Sequence, residues 1–524
     1  MGAETSVIKT WWPSLYNRIN FIKRNENHGV PRKILVSGSH YLGNLFHARD
    51  FLPALRDHFH ADTVTFSFQE TPDRAKLRWL ERLSCPCLLN KQDLKHFQEE
   101  ACSMSGALIK KLHGPEDLVA YCAEGTPLGI LIHDHYLRRK CVAQVNIKSP
   151  DFYKTLTLGI NIYLAVKKFY QTNNTVLVWA DHPVYLESGV VLQTAGKFGV
   201  PGIHIAGGSS PMVFKIPPPK TRFFQFESKM GYQVPYEEFP QLFTAMKPGQ
   251  KKKAILWGRQ NIKKHLSGKR RDIVAGGFSP FQTTAIEKIK NPKEITALIL
   301  PRDFSDAPNV YGKMLFPDNL SWLYFLLEES QKTNFGWALK PHPNRWGRDG
   351  EKMNWLNNSI LEKVRQQFPH IEFLQPRTTY PELIRRGLKT VFTPCGTVGH
   401  ELPPMGVAVV NGGRNPHISY DFNYHPSSIQ ELKKFVQKAH RLTPKCTQAI
   451  EKYHYMRYKY LQENYAIKCL WPKSFDQALE VAQSLPVEKG LRVLDHQFPP
   501  TTTVRREISG FMRKKISQTD LANP

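Results

Sequence analysis

The chain has 524 residues and carries 72 Lys or Arg against 45 Asp or Glu, a formal net charge of +27. Its 41% hydrophobic content is that of a globular protein, and its length fits two or three domains, which excludes a largely disordered chain. No stretch of about 18 apolar residues predicts a transmembrane helix. The N-terminus lacks the apolar region of a secretion signal, and the eight cysteines include no CxxC pair. We therefore expect reduced thiols in a cytoplasmic protein.

The first half of the chain alternates short apolar runs with amphipathic stretches, which favours an α/β fold. The predicted strands lie at residues 33–39, 63–68, 128–133, 175–180 and 200–206, and the predicted helices at 45–59 and 186–198. Asp134 follows one of these strands, and Asp181 and His182 follow another. Each aspartate is a candidate general base, although an aspartate in this position is also a common turn or capping residue.

Residues 246–272 are the predicted linker, because they begin with Lys-Pro-Gly and contain few apolar residues. Residues 247–271 include ten Lys or Arg and no acid, and a second basic cluster near the C-terminus consists of Arg505, Arg506, Arg513, Lys514 and Lys515. Such segments could touch the inner face of an acidic membrane; a solvated linker and a disordered tail are the alternatives. Without aromatic platforms or an RNA-binding motif, we expect no nucleic-acid partner.

A second α/β series follows the linker. Its predicted strands lie at residues 295–300, 336–340, 371–374, 390–393 and 407–410, and its predicted helices at 322–329, 353–367, 380–386 and 428–439. We predict an N-terminal lobe at 1–245, a C-terminal lobe at 273–445, helices broken near Pro472 at 446–486 and a polar, partly disordered tail at 487–524. In open α/β sheets ligands bind beyond the carboxyl ends of the strands, so residues that follow strands are the site candidates.

The first candidate segment, Lys340-Pro341-His342-Pro343-Asn344, directly follows a predicted strand. Two prolines flank the histidine and restrict the backbone on both sides. An imidazole held on such a turn could donate to a phosphate oxygen or protonate a leaving group, and the lysine adds positive charge. The alternative is a proline-stiffened loop with a solvated histidine.

The second candidate segment, Gly396-Thr397-Val-Gly399-His-Glu401, also follows a predicted strand. The two glycines would let a ligand approach the backbone, and a helix opening at Thr397 would attract a phosphate. Thr397 and Glu401 are four residues apart, so both could face the ligand, the hydroxyl toward phosphate and the carboxylate toward ribose. Two prolines after Leu402 must shorten this helix. The alternative is a glycine-rich turn with an incidental glutamate.

Asp303 and Asp306 follow the strand at 295–300 and could touch a sugar, with turn or capping roles as the alternative. The sequence contains no GxGxxG, no GxxxxGK[ST] phosphate loop and no Asp-x-Asp pair of the kind that holds a metal and a diphosphate. We therefore predict a site without a metal and without a cofactor other than the substrate itself.

Together the two segments resemble bacterial capsule and surface-polysaccharide glycosyltransferases, similar to the Kdo- and sialyl-transferring enzymes with the GT-B fold of two facing Rossmann-like lobes. Further segments fit the same resemblance: Gly125-Thr-Pro-Leu-Gly-Ile-Leu-Ile-His-Asp134, Asp181-His-Pro-Val-Tyr185 and Asp303-Phe-Ser-Asp306-Ala-Pro. The resemblance implies that the N-terminal lobe is the acceptor side and the C-terminal lobe binds the donor.

The resemblance also implies residue roles. Donor binding falls to Lys340, His342, Pro343, Asn344, Gly396, Thr397, Gly399 and Glu401, catalysis to His342 with Asp134 or Asp181 as the base, and sugar or acceptor contacts to His182, Asp303 and Asp306. The implied reaction is transfer of a sugar from a nucleotide sugar to a surface glycan or lipid-linked acceptor. A sugar-nucleotide epimerase, a glycerophosphotransferase and a non-catalytic scaffold of a glycan assembly complex are the alternatives.

Overall fold

The computed structural model describes residues 30–38, 42–68, 73–180, 184–206, 212–216, 236–268, 279–281, 294–342, 350–445, 447–467, 471–472 and 474–515. The N-terminal sheet has six strands in the order β3-β2-β1-β4-β5-β6, and β6 pairs antiparallel with β5. These strands are β1 (Arg32–Ser37), β2 (Asp62–Ser67), β3 (Cys87–Asn90), β4 (Asn174–Trp179), β5 (Gly202–Ala206) and β6 (Met212–Ile216). Ile34, Leu35 and Val36 of β1 are wholly buried, as expected for a parallel strand covered on both faces.

The helices of this lobe are α1 (Leu42–Phe59), α2 (Arg74–Arg82), α3 (Gln98–Ile109), α4 (Pro115–Ala120), α5 (Leu128–Lys140), α6 (Pro150–Thr172) and α7 (Leu186–Lys197). The strand predicted at residues 128–133 is wrong, because these residues form the first half of α5. Every α5 residue from Leu128 to Leu137 is buried. A helix buried on all sides shows no apolar stripe, so its sequence reads like a buried strand. Asp134 therefore lies within a helix and not at a strand end.

Two helices follow this lobe, α8 (Phe239–Thr244) and α9 (Pro248–Leu266). The basic linker predicted at residues 246–272 is largely helical, because α9 takes up 19 of these residues. Ala254, Gly258 and Ile262 recur every fourth residue and form the buried side of α9. This buried stripe is narrow and weakly apolar. The composition of the segment is dominated by lysine, so composition alone does not indicate a helix here.

The C-terminal sheet has five parallel strands in the order β11-β10-β7-β8-β9. They are β7 (Ala297–Ile299), β8 (Trp337–Leu339), β9 (Ile371–Phe373), β10 (Thr390–Thr393) and β11 (Ala408–Asn411), with helices α10 (Asn319–Ser330), α11 (Glu351–Gln367), α12 (Tyr380–Arg385), α13 (Val398–Glu401) and α14 (Ile429–Gln437). In each lobe the first strand lies between the second and the fourth. This is the doubly wound order, and its topological switch points lie between β1 and β4 and between β7 and β10.

The C-terminal helices are α15 (Thr447–Tyr455), α16 (Leu461–Tyr465), α17 (Ser474–Gln483), α18 (Val487–Gln497) and α19 (Thr502–Lys515), and a π-helical turn (Met456–Tyr460) joins α15 to α16. The helix break predicted near Pro472 is confirmed. The tail predicted at residues 487–524 to be polar and partly disordered contains two helices between 487 and 515. There α18 and α19 bury Leu491, Leu494, Ile508 and Met512 in one apolar cluster with α1 of the N-terminal lobe. The spacing of these few apolar residues is helical. Their packing on α1 stabilises helices whose polar composition alone would predict disorder.

The two lobes meet where α5 and the segment after β4 face the segment after β7. Asn309, after β7, donates from its backbone N–H and its Nδ2 to the carboxylate of Asp134, at 3.2 and 3.0 Å. The Tyr185 hydroxyl, between β4 and α7, donates to Oδ1 of Asp306 at 3.0 Å. The predicted fold class is therefore confirmed: an α/β protein with two facing Rossmann-like lobes in a GT-B-like arrangement and a helical C-terminal segment. The boundaries at 245, 272 and 445 stay predictions.

Within the described part of the chain, we find no helix with both the length and the apolar character needed to cross a bilayer.

Gly258 tests whether α9 is a packed helix. A Cβ placed there would lie 2.0 Å from the backbone oxygen of Glu451 on α15, whereas a Cβ at Gly249, in the first turn of α9, meets nothing within 4 Å. We expect Gly258→Ala to lower the free energy of unfolding by about 1–3 kcal/mol, because α9 and α15 must move apart. Gly249→Ala is the matched control and should be neutral or stabilising by up to about 1 kcal/mol. Equal effects of the two variants in urea unfolding would contradict the close packing.

Candidate functional site

Predicted residues from three segments share one edge of the C-terminal sheet. Asp303 and Asp306 follow β7, Lys340 and His342 follow β8, and the segment from Gly396 follows β10. Because β7, β8 and β10 are parallel neighbours, their carboxyl ends meet at this edge, beside the switch point. Four other predicted residues lie outside the described part of the chain: Asp181, His182, Pro343 and Asn344.

Lys340 is the most unusual of these residues, because its charged side chain is only 2% exposed. Its Nζ lies 5.5 Å from the ring centroid of Tyr380, at the start of α12. Among the described residues no carboxylate forms an ion pair with it, and the acid whose charge acts on it is Glu401. Burial lowers the pKa of Lys340 to about 8, although the Glu401 charge opposes that shift. No described carboxylate therefore neutralises this ammonium by an ion pair, and the Glu401 charge only partly offsets the cost of its burial.

Glu401 is the last residue of α13 and is 8% exposed. Its Oε1 lies 3.1 Å from Nε2 of His265, near the end of α9. The other ring nitrogen of His265, Nδ1, is buried and has no hydrogen-bond partner in the part of the chain that the structure describes. Sequence reasoning missed His265 because it placed this residue in a linker. The signal was the four-residue recurrence of Ala254, Gly258 and Ile262, which continues to the side of the helix that carries His265.

The segment from Gly396 to Glu401 forms a short helix, as predicted, with Thr397 as its N-cap residue. Thr397 is exposed, and its side chain makes no capping hydrogen bond. At Gly399, however, a Cβ would lie 2.4 Å from Nδ1 of His417 and 2.7 Å from Nδ2 of Asn423. The absence of a side chain at 399 therefore makes room for His417 and Asn423, while the role of Gly399 in donor binding stays a prediction.

Buried rings support α13 from behind. Nδ1 of His400 lies 2.9 Å from Nε2 of His417, and its Nε2 lies 3.0 Å from the Tyr458 hydroxyl. Burial lowers the pKa of both histidines well below the usual value, with a further contribution from the Arg457 charge. Both rings are therefore neutral at physiological pH, and they hold the helix that carries Glu401.

The two aspartates after β7 have different surroundings. Oδ1 of Asp303 accepts from the backbone N–H and hydroxyl of Ser305, at 2.9 and 3.0 Å, and its Oδ2 accepts from Nδ2 of Asn357 at 2.9 Å. These contacts favour the turn role for Asp303. Asp306 instead pairs with Arg302 at 3.1 Å and accepts from Tyr185 of the other lobe. Burial would raise the pKa of Asp306, but Arg302 and the Tyr185 hydrogen bond lower it below its usual value.

Arg302 was also missed in the sequence, although a cation directly after a strand and four residues before an aspartate is a detectable pattern. Its Nη1 lies 3.3 Å from the backbone oxygen of Ala307 and 3.3 Å from Sγ of Cys395, which precedes Gly396. Arg302 thus connects the segments that follow β7 and β10, on the two sides of the switch point.

Asp134 lies at the contact between the lobes and is 1% exposed. In addition to the two hydrogen bonds from Asn309, its Oδ1 lies 2.9 Å from Nδ1 of His133. Burial raises the pKa of Asp134 above its usual value despite these partners. Nearby polar atoms of the same contact, Nε2 of His133 and Oδ2 of Asp318, are buried without hydrogen-bond partners among the described residues. The lobe contact is therefore polar and incompletely paired.

Metal ligands do not cluster in the part of the chain that the structure describes: no group of three or more His, Cys, Asp or Glu side chains there is placed to hold an ion.

His342 is exposed at the end of β8.

No family model and no curated protein sequence matches this chain. Solved structures that match include KpsC, a beta-Kdo 2,4-transferase of Thermosulfurimonas dismutans, at 10% identity and a TM-score of 0.30, over 54% of this chain and 79% of that chain. A UDP-GlcNAc 2-epimerase from Neisseria meningitidis bound to UDP-GlcNAc matches at 9% identity and a TM-score of 0.27, over 83% of this chain and 100% of that chain. A glycosyltransferase from Rickettsia africae matches at 10% identity and a TM-score of 0.22, over 90% of this chain and 100% of that chain. These TM-scores carry no argument about reaction or substrate, and the fold assignment stands on the strand order.

Lys340 should reduce the stability of the protein when no ligand is bound. We expect Lys340→Met to raise the free energy of unfolding by on the order of 1–4 kcal/mol at neutral pH, because it removes a buried charge that no acid pairs with. The pKa of this lysine is lower in the folded state, so the unfolded chain holds more protons above pH 8. The advantage of the variant over wild type should be full below pH 8 and should shrink as the pH rises toward the unfolded value. Lys389→Met, at an exposed lysine before β10, is the control. It should change neither the free energy of unfolding nor its dependence on pH.

Proposed function

We propose that this protein is a glycosyltransferase that moves a sugar from a nucleotide-sugar donor to a glycan or lipid-linked acceptor. The observation that carries the proposal is the buried Lys340 ammonium, which has no ion-pair partner among the described residues and lies at the carboxyl end of a parallel strand. Such a charge is costly in the free protein and becomes favourable when an anion binds beside it. A diphosphate at this edge would supply that anion, as nucleotides do in other doubly wound sheets.

The donor would lie along the carboxyl edge of the C-terminal sheet. In this proposal Lys340 and the exposed His342 face the phosphates, with Gly396 and Thr397 beside them. The Glu401 carboxylate accepts hydrogen bonds from the ribose hydroxyls, and His265 orients it through the 3.1 Å contact with Oε1. Pro343 and Asn344 complete the predicted donor segment. The donor phosphate charge is thus balanced by protein cations, and the proposed reaction needs no metal.

The reaction then requires a base on the opposite lobe. The acceptor hydroxyl oxygen bonds to the anomeric carbon as the bond from that carbon to the donor phosphate breaks, and the phosphate leaves with the electron pair. The acceptor proton passes to a carboxylate, for which Asp134 and Asp181 stay the two candidates. Asp134 is supported by its raised pKa and its place at the lobe contact. It must first exchange its Asn309 hydrogen bonds for the acceptor. Asp306, with Tyr185, is the proposed sugar contact; Asp303 and His182 stay predictions in that role.

A panel of CMP-, UDP- and GDP-linked sugars, incubated with the full-length protein with and without glycan acceptors, tests the reaction class. Release of free nucleotide that depends on acceptor and persists in EDTA supports the proposal. Isomerisation of the sugar without acceptor identifies an epimerase. If calorimetry detects no binding of any nucleotide or nucleotide sugar, every enzyme alternative fails and the scaffold remains.

Donor-side substitutions should separate binding from stability. Lys340→Met should weaken binding of a nucleoside diphosphate by about 10- to 100-fold, because it removes a charge-assisted contact, while it raises the melting temperature. His342→Ala and Glu401→Gln should each weaken binding about tenfold, with little change in melting temperature. Lys389→Met is again the control. A loss of stability with nucleotide affinity intact would instead mean that these residues only support the fold.

Asp134→Asn should lower kcat by about 100-fold or more and leave donor affinity within about twofold, as expected for loss of a general base. Asn309→Ala distinguishes this role from a structural one, because it removes the side-chain hydrogen bond between the lobes and keeps the carboxylate. If the two variants lose turnover equally, Asp134 acts only as a contact between the lobes and Asp181 becomes the candidate base.

A further inference from the structure

One exposed side of α9 is cationic. Lys252, Leu256, Arg259 and Lys263 follow one another at spacings of four, three and four residues, which places them along one side of the helix. We define the α9 cationic face as these residues and their exposed neighbours: Lys252, Lys253, Leu256, Arg259, Lys263 and Lys264. Leu256, at the centre of the face, is 54% exposed.

The positive charges of this face are largely uncompensated. Arg259 pairs with Glu451 of α15 at 2.7 Å. The four lysines of the α9 cationic face form no ion pair with any carboxylate in the described ranges, and α9 itself contains no acid. A row of like charges on one rigid helix raises the local potential and attracts polyanions more strongly than dispersed charges do.

The face is held in a fixed orientation by the opposite side of the helix. Ala254, Gly258 and Ile262 are buried, and Gly258 brings the α9 backbone against the backbone of α15 at Glu451. The charges therefore need no folding step before they meet a partner, and binding costs little conformational entropy beyond that of the lysine side chains.

We propose that the α9 cationic face docks the protein on an acidic lipid bilayer. Lysines bind the anionic headgroups, and the exposed Leu256 enters the boundary between headgroups and acyl chains. A single-stranded nucleic acid would instead need aromatic stacking platforms. The aromatic residue of this part of α9, Trp257, is half-buried, and its ring packs against Tyr455 at a centroid distance of 6.0 Å.

Docking would bring the membrane close to the candidate site. His265, which contacts Glu401, lies on the inner side of α9 directly after Lys263 and Lys264 of the docking face. A lipid surface on one side of this helix thus lies within one helix diameter of a donor-site residue on the other side. The docking proposal does not depend on sugar transfer, because vesicle binding can be measured without donor or acceptor.

Vesicle co-sedimentation of the full-length protein tests the proposal. We expect binding to phosphatidylcholine vesicles that contain about 30% phosphatidylglycerol, no binding to phosphatidylcholine alone, and weaker binding as the salt rises from about 0.1 to 0.5 M. The variant Lys252→Gln, Lys253→Gln, Lys263→Gln and Lys264→Gln should weaken partitioning by about 600-fold, since each lysine near an acidic surface contributes about fivefold. Leu256→Ser should weaken it by about three- to tenfold without a change of charge.

The matched control removes the same charge elsewhere. Its four lysines, also exposed and without ion pairs among the described residues, are Lys110, Lys111, Lys352 and Lys363. Changed to Gln, they should leave partitioning within about twofold. Equal losses in the two quadruple variants, at unchanged melting temperature, would show that net charge and not the α9 face binds the vesicles. Wild-type binding by the α9 variant, or binding of RNA without binding of vesicles, would overturn the proposal.

Discussion

Parallel strands all end at the same edge of their sheet, and this constraint determines where the polar residues of both lobes meet. In the C-terminal lobe it brings together Lys340, Asp306 and Gly396, which come from three separate segments. In the N-terminal lobe it brings Tyr185 to the edge that faces them. The hydrogen bond from Tyr185 to Asp306 joins the two edges directly. A site between the lobes is therefore a consequence of strand direction, before any particular side chain is considered.

Charge burial then distinguishes one part of this edge from the rest. Asp306 is half-buried beside Arg302, and its charge is compensated within the protein. Lys340 is buried beside the Tyr380 ring, and its pKa falls to about 8 because that ring and the charge of Glu401 do not replace the lost hydration. Natural sequences rarely keep a buried charge that reduces stability unless it has another role. The contrast between the compensated pair and the uncompensated lysine is the physical basis for the proposed position of the anionic donor.

Sequence reasoning recovered the parts of the fold that have a clear periodicity and missed those that do not. The strands before Lys340 and Gly396 are short apolar runs bounded by proline or glycine, and both were predicted within a residue or two. The helix that carries Asp134 is buried on every side, so its sequence has no stripe to detect. Glu401 was predicted, but its partner His265 lies 136 residues earlier in the chain. No local pattern encodes a contact at that separation, and only the packing of α9 on α15 reveals it.

The helix α9 connects these observations. Its composition is that of a linker, yet Ala254 and Ile262 lie in one apolar cluster with residues of α15, and the two backbones approach closely at Gly258. The lysines lie on the outer side of the helix, away from this packing. The inner side positions His265 against Glu401, and the outer side presents four lysines that form no ion pair with any described carboxylate. A segment with the composition of a solvated linker therefore has two structural constraints, its packing on α15 and the contact of His265 with Glu401. Both depend on residues far away in the sequence, so only the folded structure reveals them.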